Sequence, residues 1–388
     1  MSRFVSPSFR AAFLFLLVVT FTGCALGSLD GGGPEDTPLI PATELPTPEP
    51  VATDAPTPPT VEAPLATATA PASSPITVGF VARAANAPPG SIPALSQDGM
   101  QIAASMDSAL FQLDVIEIDA LNSADPDAAI NMAIGRGHKI VVVAGAGLAG
   151  AARRAAQAHP DITFVGVDQP ADETLANYYT LGGSGDRLDQ EGFLAGALAG
   201  YVTKARIVGV VALANTREGK LYANGFTHGL RYSCGDCKLW TIELESAADL
   251  ETGAGTADRL KNVNVDVMFA AAGEAGEAGL KAAAAQGMWV IGAGQDYALT
   301  LPSAADRVLG SVLRRPDLTL PSVITGLLSG APPAKSLPFD LANGNLTLAP
   351  TFGPDVSPAV VQLMDDLTGQ LASGLLDTGV DPATGEVR

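Results

Sequence analysis

The residues able to do chemistry are few and widely scattered. The histidines are His138, His159 and His228. None stands within three or four residues of another, the spacing that lets one helix offer two imidazoles to a metal. His138 and His159 each precede a β-branched run, where a turn or cap role is expected. No Gly-x-Ser-x-Gly elbow and no Gly-x4-Gly-Lys-Ser/Thr phosphate loop occur. The run "AGAGLAG" from Ala144 follows a third strand-like segment rather than the first, so no nucleotide cofactor is expected. Cys234 and Cys237 form a lone Cys-x-x-Cys. Without a second pair it is not a zinc site, and it follows a helix-like stretch, so it lacks the helix N-terminus that activates such thiols. A local disulfide closing a turn is expected. What remains is a set of polar or small residues at the ends of strand-like runs: Asp168, Asn215 with Thr216, Gly273, and Asp296 with Tyr297. Each alone suits a turn, but together they outline a small-molecule pocket rather than a catalytic centre.

The elements that must hold them are α/β. From Ile76 short β-branched runs alternate with helix-like stretches: "ITVGFVA", "LDVIEID", "HKIVVVAG" and "ITFVGVD" in a first series. "RIVGVVALA", "LWTIELE", "VDVMFAAAG", "MWVIGAG" and "RVLGSVL" form a second. These runs lack alternation, as expected of parallel strands covered on both faces. Two consecutive βαβ series predict two Rossmann-like lobes with parallel sheets and a ligand cleft between them, where the strand C-termini converge. Lobe 1 is expected over about 76–190 plus a C-terminal segment, and lobe 2 over about 191–310.

Composition narrows the partners. With 22 basic and 41 acidic residues the net charge is -19. Such a chain cannot supply the cations that neutralise nucleic-acid phosphates or anionic lipid. A membrane connection must then be covalent or hydrophobic. Residues 1–23 have a basic start and an apolar run of secretory length, and Gly23 precedes Cys24. That arrangement predicts a lipoprotein signal with Cys24 as the acylated N-terminus. Residues 24–75 are rich in Pro, Thr and Ala without period and predict an extended tether.

The landmarks "EGFLAGALAGYVTKARIVGVVA", "ANGFTHGLRY", "VDVMFAAAGEAGEAGLKAAAAQGMWVIGAGQD", "SVLRRPD" and "FDLANGNLTLAP" occur in that order. From about Ile76 onward the chain resembles the basic membrane protein family of bacterial solute-binding lipoproteins, whose better-understood members bind purine nucleosides for ABC transporters. The resemblance implies a type I periplasmic-binding-protein-like fold, no enzymatic activity, a nucleoside-like polar ligand, and ABC permease subunits as partners. It implies ligand-binding roles for Ser91, Asp168, Tyr222, Asp296 and Arg314, the last standing where a lysine is common. The family's Asn-Asp-x-Ser-Phe-Asn loop reads "PPGSIP" here, so the serine is kept and the stacking aromatic becomes Ile92. Gly294 replaces the first carboxylate of the family's Asp-x-Asp. A lost stacking face is worth about 1–3 kcal/mol, and a lost charge-assisted hydrogen bond about 1.5–3 kcal/mol. The alternative on the same fold is a lipoprotein that reports ligand occupancy to a signalling partner.

Overall fold

The computed structural model describes residues 75–84, 86–106, 111–118, 125–349 and 356–388. The signal-like segment, Cys24 and the Pro/Thr tract lie outside these residues. The first lobe is built on β1 (Ile76–Ala82), α1 (Ile92–Met106), β2 (Phe111–Glu117), α2 (Pro126–Gly135), β3 (Ile140–Ala144), α3 (Ala149–Ala158), β4 (Thr163–Val167) and β5 (Tyr178–Leu181). The second follows with α4 (Leu188–Val202), β6 (Ile207–Leu213), α5 (Arg217–Ser233), β7 (Lys238–Leu244), α6 (Leu250–Lys261) and β8 (Val267–Ala271). It continues through α7 (Gly273–Ala285), β9 (Trp289–Gly294), the short α8 (Tyr297–Thr300) and β10 (Val308–Arg314). The chain then runs through α9 (Pro316–Leu328), β11 (Ser336–Leu337), β12 (Leu346–Leu348) and α10 (Pro358–Ala372).

Each lobe is a six-stranded sheet, ordered β11-β5-β4-β3-β1-β2 in the first and β12-β10-β9-β8-β6-β7 in the second. All pairs are parallel except β10 with β12. The sheets are covered on both faces, which explains the unbroken apolar runs. In the first, Val78 and Phe80 pack under α1 and α9, while Val81, Val141 and Phe164 point the other way under α2 and α3. In the second, Val208, Val210 and Phe226 pack with α4 and α10, opposite Val211, Leu260, Met268 and Leu280.

The C-terminal segment that the sequence assigned to lobe 1 is in fact shared. Helix α9 packs on α1, and β11 pairs with β5, in the first lobe. Strand β10 runs to Arg314, β12 pairs with it, and α10 packs on α4, all in the second. The chain therefore crosses between lobes three times, and the crossings are hydrogen-bonded together. Arg187 N–H donates to Phe339 O at 3.0 Å, and Arg315 N–H to Asn345 O at 2.8 Å.

Helices α4 and α5 approach so closely that backbone meets backbone. A Cβ on Gly196 would collide with the carbonyl of Phe226, and one on Gly229 with that of Phe193. The small residues of "EGFLAGALAGYV" serve this contact. Gly196→Ala and Gly229→Ala are each expected to lower stability by roughly 1–3 kcal/mol through overpacking. Gly255→Ala, on an open face of α6, is expected to leave it unchanged or raise it slightly. Thermal unfolding of the three variants measures the difference, and equal melting temperatures would refute the close-packing account.

Candidate functional site

The parallel strands of both sheets point their C-terminal ends at the junction of the lobes. Asp168 follows β4, Gly273 follows β8, and Arg314 ends β10. Asp168 takes a left-handed backbone conformation, φ 56°, uncommon for a residue with a side chain though less so for aspartate. Gln169 holds it there. This fully buried amide donates to the carbonyls of Val143 and Gly145 at 2.9 and 3.0 Å and accepts from the Tyr178 hydroxyl at 2.6 Å.

Arg314 is the hub. Its Nη1 donates to Asp168 Oδ1 of the first lobe at 2.9 Å, and its Nε to Glu191 Oε1 of the second at 2.9 Å. Its Nη2 donates to the Tyr222 hydroxyl at 2.7 Å, which in turn donates to Glu191 Oε2 at 3.1 Å. Asp186, on the first crossing, lies 4.0 Å from Nη1 and also accepts from Phe339 N–H at 2.9 Å. Burial raises the Asp168 and Glu191 carboxyls above their usual range, with Arg314 opposing the rise. Burial takes Asp186 up to about 6. Burial works against the Arg314 charge, but Glu191, Tyr222, Asp168 and Asp186 outweigh it and raise its pKa.

Two cavities adjoin this hub and share Asp168, Glu218, Tyr222 and Arg314 in their walls. One, of about 280 Å³, lies against the second sheet, walled by Ala271, Gly273, Ala293, Gln295 and Tyr297 and closed on the first-lobe side by Ile92. The other, of about 330 Å³, lies toward the crossings, walled by Ala146, Pro170, Ser184 and Asp186. The mouth is bridged where Asp296 N–H donates to Gly90 O at 3.2 Å, and a Cβ on Gly90 would crowd the Asp296 side chain.

Of the residues singled out in the sequence, Asp168, Tyr222, Gly273, Tyr297 and Arg314 meet in this cleft. Asn215 and Asp296 do not line either cavity. Asn215 is an exposed turn residue at φ 54°. The Asp296 carboxylate is turned away to cap α8 through Ala298 N–H. Ser91 is buried beside Ile92, and its hydroxyl has no hydrogen-bond partner among the described residues. Cys234 and Cys237 are joined in a disulfide at the end of α5, with Cα atoms 5.4 Å apart, away from the cleft walls. Glu191, Asp186 and Glu218 were not picked out in the sequence. The signal for Glu191 was present: a carboxylate opening a helix that is apolar on every side must find a partner inside. Among the described residues no cluster of side chains is arranged to hold a metal, and no helix is long and apolar enough to cross a membrane.

The raised carboxyls make stability depend on pH. The folded state holds the Asp186 proton more tightly than the unfolded chain does. The stability this adds is complete below about pH 4 and is lost as pH rises through about 6. Asp168 and Glu191 shift in the same direction. The ligand-free protein is expected to melt higher near pH 5 than near pH 7.5, the Asp186 share of that difference amounting to about 1.4 kcal/mol. Asp186→Asn should shrink that difference; an unchanged profile would show that the carboxyl is not the source.

A family model described as ABC transporter substrate-binding protein PnrA-like matches residues 105–365. Basic membrane protein A of Borreliella burgdorferi is 27% identical over 182 residues, 46% of this chain and 52% of that protein. The chain thus spans about half the length of the curated relatives it matches. Among solved structures, a transcriptional activator of the comK gene from Bacillus halodurans superposes with a TM-score of 0.62 at 17% identity, over 78% of this chain and 99% of that one. An ABC transporter solute-binding protein from Conexibacter woesei gives 0.60 at 20% identity, over 78% and 98%. These two likenesses establish the two-lobed fold. The family model reaches further, from the end of α1 into α10 across both sheets, and by that match the chain belongs to the PnrA-like family of ABC transporter substrate-binding proteins.

Proposed function

We propose that the protein captures a small polar solute outside the cytoplasm and passes it to the permease of an ABC import system. The observation that carries this reading is the cleft itself. Its walls come from both lobes, so a bound solute touches Asp168 on one side and Tyr222, Glu218 and Gln295 on the other. A ligand that bridges the lobes favours the closed arrangement over the open one and so shifts the population toward it. Nothing in that cycle requires a bond to be made or broken.

A nucleoside is the leading ligand class. Tyr222 offers one aromatic wall, braced by Phe269 at 6.0 Å between ring centroids. Ile92 and the small residues at the ends of β8 and β9 supply the apolar side of a slot for a ring, and the carboxylate of Asp168 can accept from hydroxyl groups. With an isoleucine facing the tyrosine, the slot grips a ring less tightly than two aromatics would.

Thermal-shift measurements against nucleosides, bases, sugars and amino acids test the reading. A ligand at about 100 times its Kd adds about 2.7 kcal/mol. A purine nucleoside is expected to raise the melting temperature, and Asp168→Ala to weaken its binding by about tenfold to a hundredfold. No shift with any class would refute the proposal. We also propose that Cys24 carries the lipid that holds the protein at the membrane surface. Cys24→Ser is expected to abolish labelling by radioactive palmitate and to release the protein from the membrane fraction. Labelling that persists in the variant would rule the anchor out.

A further inference from the structure

The two cavities share Asp168, Glu218, Tyr222 and Arg314, and the hinge-side one adds Asp186 and Ser184. The cation among them is Arg314, and each of its nitrogens is already engaged, Nε by Glu191, Nη1 by Asp168 and Nη2 by Tyr222. The arginines next along the crossings are equally committed. Arg187 grips Asp189 through two hydrogen bonds of 2.9 Å, and Arg315 grips Asp317 at 2.8 and 2.6 Å. Three carboxylates (Asp168, Asp186 and Glu191) therefore face one guanidinium, while Glu218 has Arg217 at 3.6 Å. All three are on side chains at least three-quarters buried.

We infer that the hinge-side cavity is a subsite for a cationic amino group on the solute, so that amine-bearing solutes bind in preference to their neutral or anionic counterparts. The inference rests on the reading of the cleft as the ligand site. Buried carboxylates in excess of their counter-charge are costly, and an anion entering here would meet like charge from Asp168 and Asp186. A neutral hydroxyl donates one hydrogen bond and leaves the charge excess in place. An ammonium donates three and removes part of that excess. In the ligand-free protein burial raises the Asp186 carboxyl to about 6, so a proton relieves that excess only as pH falls toward 6. Because the cavities share Asp168, Glu218, Tyr222 and Arg314, one molecule can span them, with its ring against Tyr222 and its amine beside Asp186.

Calorimetric titration of the purified protein with matched solutes tests this. The pairs are adenosine and its analogue with an amino group in place of the primary hydroxyl, glucose and glucosamine, and butanediol and putrescine; adenosine monophosphate supplies an anion. Within any pair that binds, the amine is expected to bind at least about tenfold tighter than its neutral partner, and the monophosphate more weakly than adenosine. Asp186→Asn and Glu218→Gln should each bring the amine-to-neutral ratio toward one. Glu218 is half exposed, so its variant tests the charge without disturbing the core. Neutral solutes that bind as tightly as their amines, or a preference unchanged in both variants, would overturn the subsite and leave the solute-binding reading standing. Failure of every pair to bind would overturn both.

Discussion

A buried guanidinium tolerates few surroundings, and Arg314 imposes its needs on everything near the lobe junction. A positive charge out of water is stable only among carboxylates in good geometry. Asp168 must therefore arrive from the end of β4, Glu191 from the first turn of α4, and the Tyr222 hydroxyl from α5. Each requirement propagates outward. Asp168 reaches the charge only from a left-handed backbone, which Gln169 and Tyr178 secure from behind. Glu191 and Tyr222 can share it only if α4 and α5 lie nearly backbone to backbone, and Gly192, Gly196, Gly225 and Gly229 allow that. Having satisfied the arginine, the carboxylates remain in excess, and that excess gives the cleft its chemical character.

Much of the architecture was legible in the sequence because doubly covered parallel strands leave an unmistakable apolar run. The strands that escaped notice are those with little run to show: β5 has four residues, β11 two and β12 three. Their existence depends on neighbours far along the chain. The division of the C-terminal segment between the lobes was hidden for the same reason, since pairing partners are not written in local periodicity.

The site was legible in part. Residues at strand ends reach the cleft when the backbone there directs them inward, as at Asp168, Gly273 and Arg314. Asn215 and Asp296 occupy equivalent positions but serve as a turn and a helix cap, alternatives that a polar residue after a strand always has. Glu191 and Asp186 were overlooked because one sits inside a helix read for its packing and the other in a glycine-rich turn. His138 keeps to structural work. His138 Nε2 lies 2.6 Å from Asp114, which also takes both oxygens to Arg136 at 2.8 Å.

The three crossings also govern the order in which the chain can fold. The first sheet is unfinished until β11 reaches β5, and Ser336 pairs with Thr180 only after the whole central stretch of the second lobe has been made. A chain emerging from its N-terminus therefore exposes an unpaired β5 edge and an uncovered face beneath α1 for most of its synthesis. High-separation contacts of this kind slow folding and leave sticky surfaces waiting. Neither lobe can be cut out as a continuous piece. The same threading makes completion of both lobes a late event in the chain's assembly.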